Sequence, residues 1–235
     1  MSMLVGKKPI YAMIHLSGQR DRVIDRALKE IQILQEEGVE GIIVENYHGG
    51  TRDVINVLKE IKDIEMVVGV NVLPNEYHES LMYGNLYNAD FIQLDHVAGT
   101  YKRGGTLDVE NYKLHRSKYP DIKVMGGVWP KYYEPIDGSD LITDVKSGMG
   151  VCDAIVVTGS GTGMVTPMDK INKFRDIVGD FPLIVGAGVD TSNVVEQLSV
   201  ADGAIVGSSL KPYKRTQELI NRDLVQEFME LKNSI

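Results

Sequence analysis

The chain has 235 residues, 43% of them hydrophobic and 25% charged, which is enough to bury one sizeable core and is a common length for a single α/β barrel. A net charge of −8 argues against a nucleic-acid footprint, because phosphate-backbone binding needs an excess of Lys and Arg on one face. Cys152 is the single cysteine, which excludes an intramolecular disulfide and a cysteine-rich metal cluster and fits a reducing compartment.

Along the chain, short apolar runs rich in β-branched residues occur at Ile10 to Ile14, Gly41 to Val44, Met66 to Val72 and Phe91 to Leu94. Four more follow at Lys123 to Val128, Ala154 to Val157, Leu183 to Val185 and Ala204 to Val206. Near-continuous apolarity is the mark of strands covered on both faces. Between the runs lie stretches with helical spacing, such as Val23, Ala27, Ile31 and Leu34, then Val54, Val57, Leu58 and Ile61. The runs start roughly 20 to 32 residues apart, the length of one βα unit, and eight such units predict closure. The expected fold is a single-domain (β/α)8 TIM barrel of the phosphate-binding type over residues 1–235. An open doubly wound sheet rarely needs eight units and carries its glycine loop after the first strand, whereas here the glycines come last.

The start, Met1 to Lys8, lacks an apolar leader, and no uncharged apolar stretch reaches about 18 residues, so a cytoplasmic protein without membrane insertion is expected. Two long aromatic loops, Asp95 to Leu107 and Trp129 to Gly138, are candidate lids. Cys152 lies on the approach to a strand, the wrong end of a barrel for catalysis, and reads as structural.

Each of the last three strands runs straight into small residues: Thr158-Gly159-Ser160-Gly161-Thr162-Gly163, Gly186-Ala187-Gly188 and Gly207-Ser208-Ser209. Glycine lets main-chain N–H groups approach an anion and hydroxyls add donors, so these loops predict a phosphate site at Ser160, Gly161, Gly188, Gly207, Ser208 and Ser209. Asp190-Thr191-Ser192 is expected to cap the following helix, and Lys211 to face the anion.

At the other strand ends stand polar residues where a barrel opens to its cavity. Glu45, Asp95 and His15 are the candidate acid–base groups. Asn46, Asn71, His96 and Trp129 are candidates for positioning a substrate. No short-range ligand spacing points to a metal, and no lysine sits inside an apolar strand end where it would form a Schiff base. No cofactor is expected beyond a bound phosphate or sulfate.

Several segments together resemble the BtpA/SgcQ family over nearly the whole chain: Lys8-Pro9-Ile10 with Met13-Ile14-His15-Leu16, Gly41 to Asn46, Gly69-Val70-Asn71-Val72-Leu73, Gly159 to Gly163 and Asp202 to Lys211. That resemblance implies a TIM-barrel fold. It also implies kinship with cyanobacterial members linked to photosystem I biogenesis and with members found among sugar-metabolism genes. The chain departs from the family where Leu94-Asp95-His96 replaces an Asn-containing strand end, and where Gly126-Gly127-Val128-Trp129-Pro130 replaces a Lys-His pair. The late strands are also similar to those of the tryptophan synthase α subunit and related phosphate-binding barrels. This similarity implies phosphate on the main chain at Gly161, Gly188, Gly207 and Ser208.

Two function classes follow. One is an acid–base enzyme (isomerase, lyase or glycosidic cleavage) acting on a phosphorylated small molecule such as a sugar phosphate or nucleotide-like metabolite. The other is a non-catalytic assembly factor. A homo-oligomer is compatible with either.

Overall fold

In the computed structural model, which describes residues 8–235, the apolar runs form strands in the predicted places with ends shifted by a residue or two. The reading of the segment before Lys8 lies outside the described residues. In chain order the elements are β1 (Ile10–Ile14), α1 (Val23–Glu36), β2 (Gly41–Glu45), α2 (Thr51–Ile61), β3 (Val67–Asn71), α3 (Tyr77–Leu86) and β4 (Phe91–Leu94). A two-stranded hairpin, β5 (Thr100–Tyr101) and β6 (Gly105–Thr106), precedes α4 (Val109–Arg116) and β7 (Lys123–Gly127). Then come α5 (Leu141–Met149), β8 (Ala154–Val157), α6 (Met168–Val178), β9 (Leu183–Val185), α7 (Val194–Val200), β10 (Gly203–Val206) and α8 (Arg222–Lys232). All strands but the hairpin pair in parallel, in the closed order β1-β10-β9-β8-β7-β4-β3-β2. The fold is a single-domain (β/α)8 barrel.

Strand side chains alternate between two cores. Tyr11, Met13, Ile43, Phe91, Met125, Val156, Ile184 and Ile205 fill the barrel interior. Their neighbours, among them Ile10, Ala12, Ile42, Val44, Val124 and Val185, pack outward against the helices. The helical stripes read from the sequence meet them: Val23, Ala27, Ile31 and Leu34 of α1 are buried, as are Val54, Val57, Leu58 and Ile61 of α2. Two strand glycines make room for the interior aromatics. A Cβ on Gly69 would stand 2.3 Å from the Phe91 ring and one on Gly41 2.8 Å from that of Tyr11, and the two rings pack edge to face at 5.2 Å.

The N-terminal end of the barrel is pinned by one device used four times. A carboxylate one residue before every second barrel strand accepts the N–H at the start of the strand before it: Glu40 from Ile10 (3.0 Å), and Asp90 from Val68, Asp153 from Val124 and Asp202 from Leu183 (each 2.8 Å). Three of these acids also hold a helix cation, Lys232, Arg116 and Arg175 respectively on Glu40, Asp153 and Asp202. Cys152 lies at this end, buried, its thiol donating to the Gly148 carbonyl, and burial pushes its pKa up to about 12. No helix among the described residues is long and apolar enough to cross a membrane.

Candidate functional site

The alternation that fills the interior also selects the residues at the barrel mouth. Continuing the same alternate register past the interior side chains brings His15, Glu45, Asn71, Gln93 and Asp95, Gly127, Thr158, Gly186 and Gly207 to the strand ends. Glu45, Asp95, Gly127, Thr158 and Gly186 line a cavity of about 530 Å³, roofed by Tyr47, Arg103 and the Pro130 to Tyr133 turn. His15, Gly186 and Gly207 line a much smaller pocket beside it, about 30 Å³, with Thr162, Gly163, Gly188, Ser208 and Ser209. The two share Lys131 and Gly186, so they are compartments of one mouth.

Glu45 is the most perturbed carboxyl of this mouth. It is 6% exposed, and the Asn71 amide donates to its Oε1 at 2.8 Å across the β2–β3 pair. Burial pushes its pKa from 4.5 to about 7. The Lys131 ammonium and the Asn71 amide oppose that rise and the Asp95 carboxylate adds to it. A carboxyl so tuned exchanges a proton near neutrality. Asp95 accepts a hydrogen bond from the Tyr133 hydroxyl at 3.0 Å. Burial and the Asp95 charge raise the Tyr133 pKa, keeping that phenol protonated as a donor. Asn71 Oδ1 and Gln93 Oε1 are buried with no partner, and of the two residues Gln93 belongs to the cavity lining.

His15 falls in the small compartment, apart from Glu45 and Asp95. Burial, with the positive charges of Lys211 and Lys131 and the neighbouring His48, holds its pKa well below 6.5, so the ring is neutral. Its Nδ1 has no partner, and the site of an absent Gly207 Cβ lies 2.9 Å from its Cε1. Gly188, with φ +67, brings the β9 loop against the β8 loop so tightly that a Cβ would meet the Met164 carbonyl oxygen at 2.2 Å.

Other sequence expectations are corrected. Lys211 does not face the anion pocket: it is 1% exposed, and its ammonium donates to Glu30 Oε1 and the Thr216 carbonyl, at 3.3 and 3.2 Å. Trp129 turns away from the cavity, its indole N–H held by Asp144 at 2.8 Å. Asn46 braces the next loop, accepting from the Leu73 N–H at 2.7 Å. The His96 backbone is clasped by the Asn75 amide, and its ring packs on Tyr101 and Tyr133 behind the cavity wall. Ser160 lines an outer groove with Lys170. Gly161 is covered by Tyr132, so in the β8 loop the pocket is lined by Thr162 and Gly163 instead. Asp190 forms a turn with Ser192 and pairs with Lys214, and the helix it was expected to cap begins after Asn193 without a side-chain cap. Among the described residues no three His, Cys, Asp or Glu are grouped to hold a metal.

The residues missed in the sequence are Lys131, Tyr132 and Tyr133. Their signal is a cation and two aromatics directly after a strand end, Pro130-Lys131-Tyr132-Tyr133, inside a predicted lid. The Lys131 N–H donates to Thr158 Oγ1 at 2.6 Å, which seats the turn, while the Tyr132 hydroxyl accepts from the Thr162 N–H at 2.8 Å. The two predicted lids are joined: the Lys102 N–H donates to the Glu134 carbonyl, the Ile136 N–H to Thr100, and the Tyr101 hydroxyl accepts from the Trp129 N–H.

The BtpA family model matches residues 4–234. The chain belongs to the BtpA family. Its similar relatives include the photosystem I biogenesis protein BtpA of Synechocystis, 27% identical over 94% of this chain and 87% of the relative. Another is the sgc region protein SgcQ of Escherichia coli, 25% identical over 88% and 84%. Among solved structures, a KDPGal structure superposes with a TM-score of 0.68 at 12% identity, covering 98% of this chain and 97% of that one. Phosphoribosyl anthranilate isomerase from Thermus thermophilus gives 0.67 at 10%, covering 96% and 98%. At such identities the likeness of this BtpA-family chain to the solved structures is one of fold.

Proposed function

We propose that this BtpA-family protein is an acid–base enzyme acting on a phosphorylated small molecule held across the two compartments. The phosphate sits in the small one, against the main chain of Gly163, Gly188, Gly207 and Ser208 and the Ser208 hydroxyl, with Lys131 as its cation, while the Ser209 hydroxyl is spent on the Val189 carbonyl at 2.7 Å. The reacting carbon lies over Glu45, which takes and returns a proton. Asn71 orients that carboxyl, and Asp95 with Tyr133 forms the second proton-handling pair. Proton transfer of this kind serves an isomerase or lyase step.

The observation that carries the reading is the buried Glu45, tuned to about 7, at the floor of a cavity that opens into a glycine-lined polar pocket through a shared lysine. A thermal-shift screen tests it. Inorganic phosphate or a sugar phosphate at a hundredfold excess over its Kd adds about 2.7 kcal/mol of stability, roughly 5–10 °C in Tm for a chain of this size. Absence of any shift with phosphate or sugar phosphates, or an equal shift in Lys131→Met, overturns the reading.

A further inference from the structure

The proposed function leaves the body of the ligand unspecified, and the walls of the large cavity constrain it. Leu73, Pro74, Leu94, Pro130 and Val156 form much of its lining, and the Tyr47 and Tyr133 rings complete it. Two cations, Arg103 and Lys131, stand at the roof, while three polar groups of the walls are engaged by the protein itself. Asp95 holds the Tyr133 hydroxyl, Thr158 Oγ1 holds the Lys131 N–H, and Glu45 holds the Asn71 amide. The unpaired acceptor of the lining, Gln93 Oε1, serves only one end of a ligand. A sugar, ring or open chain, carries a hydroxyl on most of its carbons, and each hydroxyl pressed against an aliphatic wall loses its hydrogen bonds to water without replacement. A flat unsaturated ring carries no such penalty, and tyrosine faces and edges favour it.

We infer that the ligand places a flat, mostly apolar ring in the large cavity and joins it by a short linker to the phosphate in the small one. This rests on the phosphate reading above. The site then selects aryl or unsaturated heterocyclic phosphates over sugar phosphates of the same charge.

Calorimetric titration of the full chain with inorganic phosphate, ribose 5-phosphate and phenyl phosphate tests it. Phenyl phosphate is expected to bind at least tenfold more tightly than ribose 5-phosphate and to be displaced by inorganic phosphate. If inorganic phosphate binds but phenyl phosphate gains nothing over it, or less than tenfold over ribose 5-phosphate, the ring inference fails and the phosphate reading stands. Phenyl phosphate that inorganic phosphate does not displace overturns the two-compartment placement. If no phosphate compound binds, the phosphate reading fails and the ring inference falls with it.

Discussion

Glu45 is where sequence position and tertiary environment act on one group in opposite directions. A carboxylate in water titrates near 4.5, but enclosed in the barrel mouth it keeps its proton to about 7. Between those values the folded state binds more protons than the unfolded one, so stability falls as pH rises from about 4.5 to 7 and is level above that. The separation corresponds to about 3 kcal/mol. Glu45→Gln keeps an acceptor for Asn71 and removes the titration. Its Tm is therefore expected to exceed the wild-type value at pH 8, with the advantage shrinking toward pH 5, and a pH-independent difference would contradict the assigned environment. Once a substrate is in hand, the same variant should lose about 10²- to 10⁴-fold in turnover. The two lysines part company at this scale. Lys211→Met removes the nearer of the two cations on buried Glu30, leaving Arg26 at 3.7 Å, and should cost about 1–3 kcal/mol in denaturant unfolding. Lys131→Met is expected to leave stability nearly unchanged and to weaken phosphate binding. Both are lysines near a glycine loop in the sequence, and only the packing of α1 against the segment after β10 separates them.

At the scale of elements, the barrel divides its labour between its ends. The carboxylate before every second strand satisfies a strand N–H at the bottom, and in three of four cases a helix cation as well. Asp202→Ala would orphan the Leu183 N–H and take from Arg175 its carboxylate partner, leaving the guanidinium its bonds to the Val200, Gly179 and Phe181 carbonyls, at a cost of about 1–3 kcal/mol, read as a Tm lowered by several degrees. At the top, Gly188→Ala drives a methyl into the Met164 carbonyl from a left-handed backbone. It should abolish phosphate-induced stabilisation even in chains that remain folded, as circular dichroism can establish. In the sequence each of these acids stands directly before an apolar run, as in Val39-Glu40-Gly41, Asp90-Phe91, Asp153-Ala154 and Asp202-Gly203. Their partners cannot be read there, because an N–H acceptor pair forms only when two strands lie side by side in one register.

For the whole molecule, closure is the deciding event. β1 pairs with both β2 and β10, and Arg222 of α8 reaches back to Glu36 and Glu37 at the end of α1. With the first and last units locked together, unfolding should be one transition, with calorimetric and van't Hoff enthalpies in agreement, and two resolved steps would contradict a single cooperative barrel. The mouth depends on the same closure, since the small pocket draws on β1, β9 and β10 and on the loop after β8.

The amino-acid sequence alone determined the architecture and the general place of the site. Local apolar runs set the strands, helical stripes set the layer around them, and the count of eight set the ring. Glu45 and the glycine loops stood at strand ends, where period-two alternation carries them into the mouth. The tertiary structure decided which of the nominated residues work together. It separated His15 from Glu45 and Asp95, committed Lys211 to Glu30, turned Trp129 outward to Asp144, and brought in Lys131. Strand periodicity is a property of neighbouring residues and can be read from the chain. The direction of a loop side chain, and the partner that neutralises a charge, can depend on residues 192 positions away that meet only when the barrel closes.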